Sequence, residues 1–322
     1  MGQWFLAGIL QAVVVPQKFE VPVEGHQVES TSIMYSYENG GTRVQLHADG
    51  TKVRQVFDPE VDPVFPEQMD LKITDWCDAA CAWCHEGSTL RGKHGDVDAM
   101  ISLLSDLPAG VEIAIGGGDP LSHPDFSRLV RSLSGIGLVP NVTVNGRHVI
   151  RHKPMLIELI EEKAIYGVGV SFHEEFPDWN HEHLVDHMIA GVDDPGTLLS
   201  THGRKILILG YKEWGRGLRF KQRRPEAVDE CLARWFRLLP LLAREHHLSF
   251  DNLAIAQLKP RRIFRSGARY DSHYMGREGE YSLYVDGVKQ EYATSSYAPD
   301  RNPWSDIVRM YQDVRARDTL GF

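Results

Sequence analysis

The chain has 322 residues, 42% hydrophobic and 25% charged, the balance of a folded globular protein with one large domain or two modest ones. A net charge of −9 excludes a general nucleic-acid coat, which needs clustered Lys and Arg, and no run of 18 apolar residues is present to span a membrane. Four cysteines are too few for a disulfide scaffold, so a reducing, cytoplasmic setting is expected.

The first segment, "MGQWFLAGILQAVVVPQKFE", lacks a basic n-region and a small-x-small cleavage site before Pro16, so it reads as a buried strand and not a signal peptide. Leu6 stands where myristoylation at Gly2 needs Ser or Thr. Up to about residue 66, alternating apolar residues broken at Asn39-Gly40 and Asp49-Gly50 predict an antiparallel β meander. Pro59, Pro63 and Pro66 then mark a linker.

From Met69, strands alternate with helices. "MDLKIT", "VEIAIGG", "VPNVTVNG", "YGVGVSF", "RKILILGY" and "LSFDNLAIAQL" read as strands. "DVDAMISLLSDL", "PDFSRLVRSLSGIG", "KPMLIELIEEKA", "HEHLVDHMIAGV" and "PEAVDECLARWFRLLPLLAREHH" read as helices. Such alternation predicts parallel strands joined by right-handed crossovers. Six repeats predict an α/β fold, a partial (β/α)6 barrel with its chemistry at the C-terminal ends of the strands. "EYSLYVDGVKQEYATSS" predicts a C-terminal β hairpin around Asp286-Gly287, with Tyr284, Asp286, Glu291 and Tyr292 on a lid strand or a structural edge. The expected division is a β-rich extension over 1–66, a core over 67–258 and a C-terminal extension over 259–322.

Cys77, Cys81 and Cys84 follow the first barrel strand with the spacing Cys-x3-Cys-x2-Cys, and Trp83 precedes the last of them. Structural zinc wants four ligands. His85 is poorly placed to be the fourth, and there is no second CxxC. Three free thiols in one loop is a further reading. The remaining one is a [4Fe-4S] cluster held by three thiolates, with one iron open to a small molecule.

This stretch resembles the signature of the radical SAM superfamily, and the resemblance extends over about residues 69–258. "IGGGDPLSHPDF" looks like the family's Gly-Gly-Glu-Pro element, with Gly117, Gly118, Asp119 and Pro120 in its positions and Asp119 one methylene shorter than the usual Glu. "VTVNG" is similar to the family's Thr-Asn-Gly and places Asn145 at the site. Ser171 and Glu174 at the end of the fourth strand, and Leu209 and Gly210 at the end of "ILILG", match positions near the cofactor in relatives. The resemblance implies a [4Fe-4S] cluster and S-adenosylmethionine as cofactors. It also implies reductive cleavage to a 5′-deoxyadenosyl radical that abstracts hydrogen from a substrate, and an external flavodoxin- or ferredoxin-like electron donor. The protein's part is orientation and exclusion of competing reactions.

The substrate is less legible. Cys231, the one cysteine outside the triplet, leaves no set for auxiliary clusters and reads as a core thiol or a hydrogen-atom donor. Two basic runs follow strand ends: Arg216, Arg219, Lys221, Arg223 and Arg224, then Lys259, Arg261, Arg262, Arg265 and Arg269. They read as binders of phosphate or carboxylate, with Phe264 and Tyr270 placed to stack on a base, or as a solvated basic face. His183 and His187, four apart on the expected helix with His181 nearby, carry a weak metal-site pattern. The favoured substrate is therefore a nucleotide, nucleoside or nucleic-acid base. The alternative is modification or epimerisation of an amino acid or ribosomal peptide, whose leader strand the meander would take up by edge addition. A non-catalytic iron-sulfur or zinc protein is the third reading. No membrane partner is expected, and a nucleic-acid partner stays open.

Overall fold

The computed structural model describes residues 13–15, 32–172, 176, 179 and 181–318. Strand β1 (Val13–Val15) is antiparallel to one edge of the main sheet. Strands β2 (Ile33–Asn39), β3 (Thr42–His47) and β4 (Lys52–Val56) form the expected meander, a separate antiparallel sheet. Gly40 and Gly50 turn it at φ of 60° and 83°.

The core then follows as β5 (Gln68–Thr74), α1 (Val97–Leu104), β6 (Glu112–Gly117), α2 (Phe126–Gly135), β7 (Val139–Asn145), α3 (Gly146–Glu161), β8 (Gly167–Ser171), β9 (Leu184–Ile189) and β10 (Lys205–Leu209). After these come α4 (Gly215–Arg223), α5 (Pro225–Glu245), β11 (His247–Phe250), α6 (Asn252–Leu258) and α7 (Gly267–Asp271). The chain closes with β12 (Ser282–Asp286), β13 (Glu291–Ala293), β14 (Asn302–Pro303) and α8 (Ile307–Asp318). The main sheet runs β1-β11-β10-β9-β8-β7-β6-β5-β12-β13-β14, parallel from β5 to β11.

Alternate residues of these strands part to two faces. Met69, Leu71, Ile73, Ile113, Ile115, Val142, Val144, Val168 and Val170 join the core under the helices. Asp70, Lys72, Gly116, Asn145 and Ser171 fall on the other, inner face. Asp70 on β5 and Asp251 just past β11 line one cavity, so the two ends of the parallel run approach and the sheet curls into a partial barrel. The meander closes the N-terminal ends of the strands. Lys52 pairs with Glu112, Arg54 Nε lies 2.7 Å from Glu67 Oε2, and Leu46 packs on Val139.

Three expectations are corrected. "HEHLVDHMIAGV" is strand β9, not a helix. Leu184 and Met188 turn to the helix-side cores while Val185 packs with Leu207 and Leu209 on the inner face, which is a period of two. Four residues along a strand span ~13 Å, so His183 and His187 cannot share one ion. The run from β5 to β11 therefore has seven parallel strands, of which "ILILG" is the sixth. "LSFDNLAIAQL" divides after Phe250, because the Asp251 carboxylate accepts from Ala254 N and starts α6. The C-terminal hairpin is more than an extension, since β12 pairs parallel with β5 inside the main sheet. No helix among the described residues is long and apolar enough to cross a membrane.

Candidate functional site

The loop after β5 carries the three cysteines. Cys77 N donates to Thr89 O at 3.1 Å and Cys84 N to Cys81 O at 3.3 Å, while Ala80 takes a left-handed φ of 53° between them. Burial pushes the Cys77 and Cys81 thiols up, and the neighbouring cysteines push the same way. A positive metal centre relieves that mutual repulsion. Among the described residues, the trio with donor atoms close enough to share a single ion is Asp78, Asp119 and His148, not the cysteines. Thiols held further apart suit a multi-iron cluster better than one zinc.

Helix α4 buttresses this loop. Arg216 N donates to Cys84 O (3.0 Å), Nε to Cys81 O (2.9 Å) and Nη1 to Ser88 O (2.8 Å). Gly215 at φ 56° brings the two backbones together, and a Cβ there would stand 2.2 Å from His85 O. Trp83 meets Phe220 edge-on at 5.9 Å, so its ring anchors the loop to the same helix.

The glycine turn at the end of β6 is fastened to the cysteine loop from the other side. Gly118 N donates to Thr74 O and Asp119 N to Trp76 O, both at 2.7 Å. Asp119 is fully buried and Pro120 is buried beside it. Asp119 Oδ1 accepts from Leu121 N at 3.2 Å, while Oδ2 is buried without a partner. A Cβ at Gly116, just before the turn, would meet nothing within 4 Å, while Gly117 and Gly118 pack on Thr74 O and Trp76 O, so free space lies beside the turn at Gly116. A buried orphan carboxylate oxygen beside an open turn fits an incoming ammonium group. His148 joins the turn to the loop: Nε2 is hydrogen-bonded to Asp78 Oδ1 at 2.6 Å, and Nδ1 stands 3.3 Å from Asp119 Oδ1, within ion-pair reach but without hydrogen-bond geometry. Burial pushes the imidazole down, but these two carboxylates outweigh it and hold its pKa above the ordinary histidine value.

Asn145 caps α3, accepting from Arg147 N at 3.0 Å, and its Nδ2 lies 3.9 Å from Cys81 Sγ. Asn145 is in register with Ser171, Ser171 with His187, and His187 with Leu207. These four share one level of the inner face, the level of the cluster loop. Leu209 packs with Val185 and Leu207, and Gly210 N donates to Asp251 Oδ1 at 2.9 Å. Glu174 lies outside the described residues.

The expected substrate residues are placed elsewhere. Cys231 donates to Asp193 O at 3.3 Å beside Trp235 and packs in the helix-side core, with burial pushing its thiol up to about 11. Arg261 pairs with Asp271 at 2.9 Å. Arg262 stacks over Phe236 of α5 at 3.7 Å and donates to its carbonyl.

Sequence reasoning missed Lys72 and His148, and it named Arg216 and His187 for other roles, anion binding and a metal pair. Lys72, 5% exposed, holds Asp75 (2.6 Å), Glu86 (2.8 Å) and Asp286 (3.2 Å), tying β5, the cysteine loop and β12 together. Its signal was a polar Asp70/Lys72 alternation inside an otherwise apolar strand. His187 is 2% exposed, with both ring nitrogens unpartnered, and burial pushes it down to about 3. Inside the sheet, Asp70, Lys212, Asp251 and Glu278 line a charged cavity, where burial lifts Asp70 to about 7.

No protein-family model matches the chain. Over 124 residues, 37% of this chain, it is 27% identical to PqqA peptide cyclase from Ruegeria pomeroyi, and the match spans 32% of that protein's length. Streptococcus suis SuiB bound to S-adenosylmethionine superposes with a TM-score of 0.50 at 12% identity, over 79% of this chain and 69% of that one. SuiB bound to its precursor peptide SuiA gives a TM-score of 0.49 at 12% identity, over 78% and 65%. In its cysteine spacing, its glycine turn and its partial-barrel fold, the chain is similar to radical SAM enzymes.

Proposed function

We propose that the protein is a radical SAM enzyme acting on a peptide or an amino-acid residue. The observation that carries the peptide reading is the sequence match to PqqA peptide cyclase. The nucleotide reading rested on the basic runs, and at least three of their ten residues have other partners. Arg216 is bound to carbonyls of the cysteine loop, Arg261 to Asp271, and Arg262 to Phe236 on an outer helix. The inner cavity mixes both signs, with Asp70, Asp251 and Glu278 beside Arg54, Lys212 and Arg277, so it does not single out a phosphate.

Cys77, Cys81 and Cys84 would hold the [4Fe-4S] cluster, with Gly117, Gly118, Asp119, Asn145 and Ser171 facing S-adenosylmethionine. When bound, this pair supplies one electron to the sulfonium and, on C5′–S cleavage, a 5′-deoxyadenosyl radical able to take hydrogen from an unactivated carbon. The chain's own residues orient and enclose. The Gly118–Asp119 turn is pinned to the cysteine loop by two backbone hydrogen bonds. Val185, Leu207 and Leu209 give the inner face an apolar patch that excludes water.

The test is isotopic. Candidate peptides and nucleosides deuterated at carbon are incubated with reduced, reconstituted protein, and 5′-deoxyadenosine is examined by mass. Deuterium arriving from a peptide supports the proposal. Deuterium arriving from a nucleoside and from no peptide restores the nucleotide reading.

A further inference from the structure

His148 is 1% exposed, on the first turn of α3, and it touches both halves of the site. Asp78 follows Cys77 directly, and Asp119 follows the glycine pair. One imidazole thus bridges the cysteine loop and the glycine turn from a third strand-to-helix junction. Arg151 Nη1, 3.3 Å from Asp78 Oδ2, steadies the outer end.

Two plainer readings fit less well. A divalent cation could use the same three side chains, but Nε2 and Oδ1 stand 2.6 Å apart, a hydrogen-bond length. Two ligands on one tetrahedral zinc keep ~3.3 Å between them. A packing role would be filled at lower desolvation cost by an apolar side chain. The observed group is a polar ring set between two carboxylates.

We infer that His148 is a positioning residue: by bridging Asp78 and Asp119 it fixes the glycine turn against the cysteine loop and so sets the affinity for S-adenosylmethionine. This rests on the radical SAM reading proposed above.

The experiment compares wild type, His148→Leu and His148→Gln, each reconstituted anaerobically and assayed for iron and sulfide. The electron paramagnetic resonance spectrum of the dithionite-reduced cluster is titrated with S-adenosylmethionine, and KM and kcat for its cleavage are measured separately. His148→Leu is expected to keep wild-type iron while its half-saturating concentration and KM rise about tenfold, the effect of one lost charge-assisted contact. Its kcat should change far less, and His148→Gln, which keeps one donor, should fall between. Wild-type half-saturation in an iron-replete His148→Leu overturns the inference. Loss of iron in both variants also overturns it, because His148 would then be holding the loop together. If His148→Leu does not fold, His148→Gln decides alone, by a raised or an unchanged half-saturation. A wild-type cluster whose spectrum ignores S-adenosylmethionine instead refutes the radical SAM reading, and the inference falls with it.

Discussion

Arg216 Nε donates to the Cys81 carbonyl at 2.9 Å across 135 residues of sequence. The guanidinium fills a gap between two backbones, giving the Cys81 carbonyl a second donor beside Cys84 N and supplying one to the Ser88 carbonyl. Arg216→Ala removes both guanidinium bonds and leaves the Cys81 carbonyl with Cys84 N alone. Hydrogen bonds to charged groups contribute ~1.5–3 kcal/mol each, so a destabilisation of about 2–4 kcal/mol is expected, discounted for partial exposure. Iron retained after gel filtration and the melting temperature of the apo-protein read the effect. Wild-type values for both would remove Arg216 from the account.

A Cβ on Gly169 would lie 2.2 Å from His187 Cε1, so the ring occupies the space a side chain would need. Gly169→Ala should cost ~1–3 kcal/mol through overpacking. In a His187→Ala background the same substitution should cost much less. Urea denaturation of the four proteins closes the cycle, and strict additivity would show that the ring does not rest on Gly169.

Lys72 pairs with all three of Asp75, Glu86 and Asp286. Lys72→Met strands three carboxylates, and removing one partner of a buried pair costs ~3–5 kcal/mol. Burial alone pushes Glu86 up, yet His85 and Lys72 hold it well below the usual carboxylate range. A depressed carboxylate stabilises the fold above its unfolded pKa and loses that contribution as pH falls through its folded one. Wild type should therefore lose stability below about pH 4.5, the ordinary value for Glu, and the variant should show a flatter acid limb. An unchanged acid limb would argue against the cluster of charges.

Asp70 has the opposite sign. Burial raises it to about 7 against an ordinary 3.8, so the unfolded chain releases its proton at lower pH than the folded one does. The folded state gains from protonation as pH falls from about 7 toward about 4, and above that range the buried charge is a burden. Asp70→Asn should raise the melting temperature at pH 8 and lose most of that advantage by pH 5. A difference constant across pH would mean that Asp70 does not titrate there.

Cys231→Ser should leave the rate of S-adenosylmethionine cleavage within about twofold and cost stability on the order of 1 kcal/mol, because the thiol lies among helix-side residues. Loss of an epimerised product with cleavage intact would return Cys231 to the role of hydrogen donor.

The sequence was legible where the pattern is local. The cysteine spacing, the turn glycines and strands β5, β6, β7, β8 and β10 appear as read. Strand β9 was misread because it is buried on both faces, with Asp186 and His187 adjacent, so its alternation is blurred and a helical i, i+4 histidine spacing stands out. In a parallel sheet covered on both sides, hydrophobicity alone does not separate strand from helix. Arg216, Lys72 and His148 were illegible for a different reason. Their partners are set by tertiary approach, and nothing in "RGLRFKQRR" distinguishes an arginine that holds a loop from one free to bind an anion.

The central claim is radical SAM chemistry at the cysteine loop, and its most direct test is anaerobic. Wild type and Cys81→Ala are reconstituted with iron and sulfide, reduced with dithionite and given S-adenosylmethionine. The account predicts 5′-deoxyadenosine and methionine from wild type and from wild type alone. Tight binding of one zinc with no iron, or an intact cluster that never cleaves S-adenosylmethionine with any candidate peptide present, would contradict it.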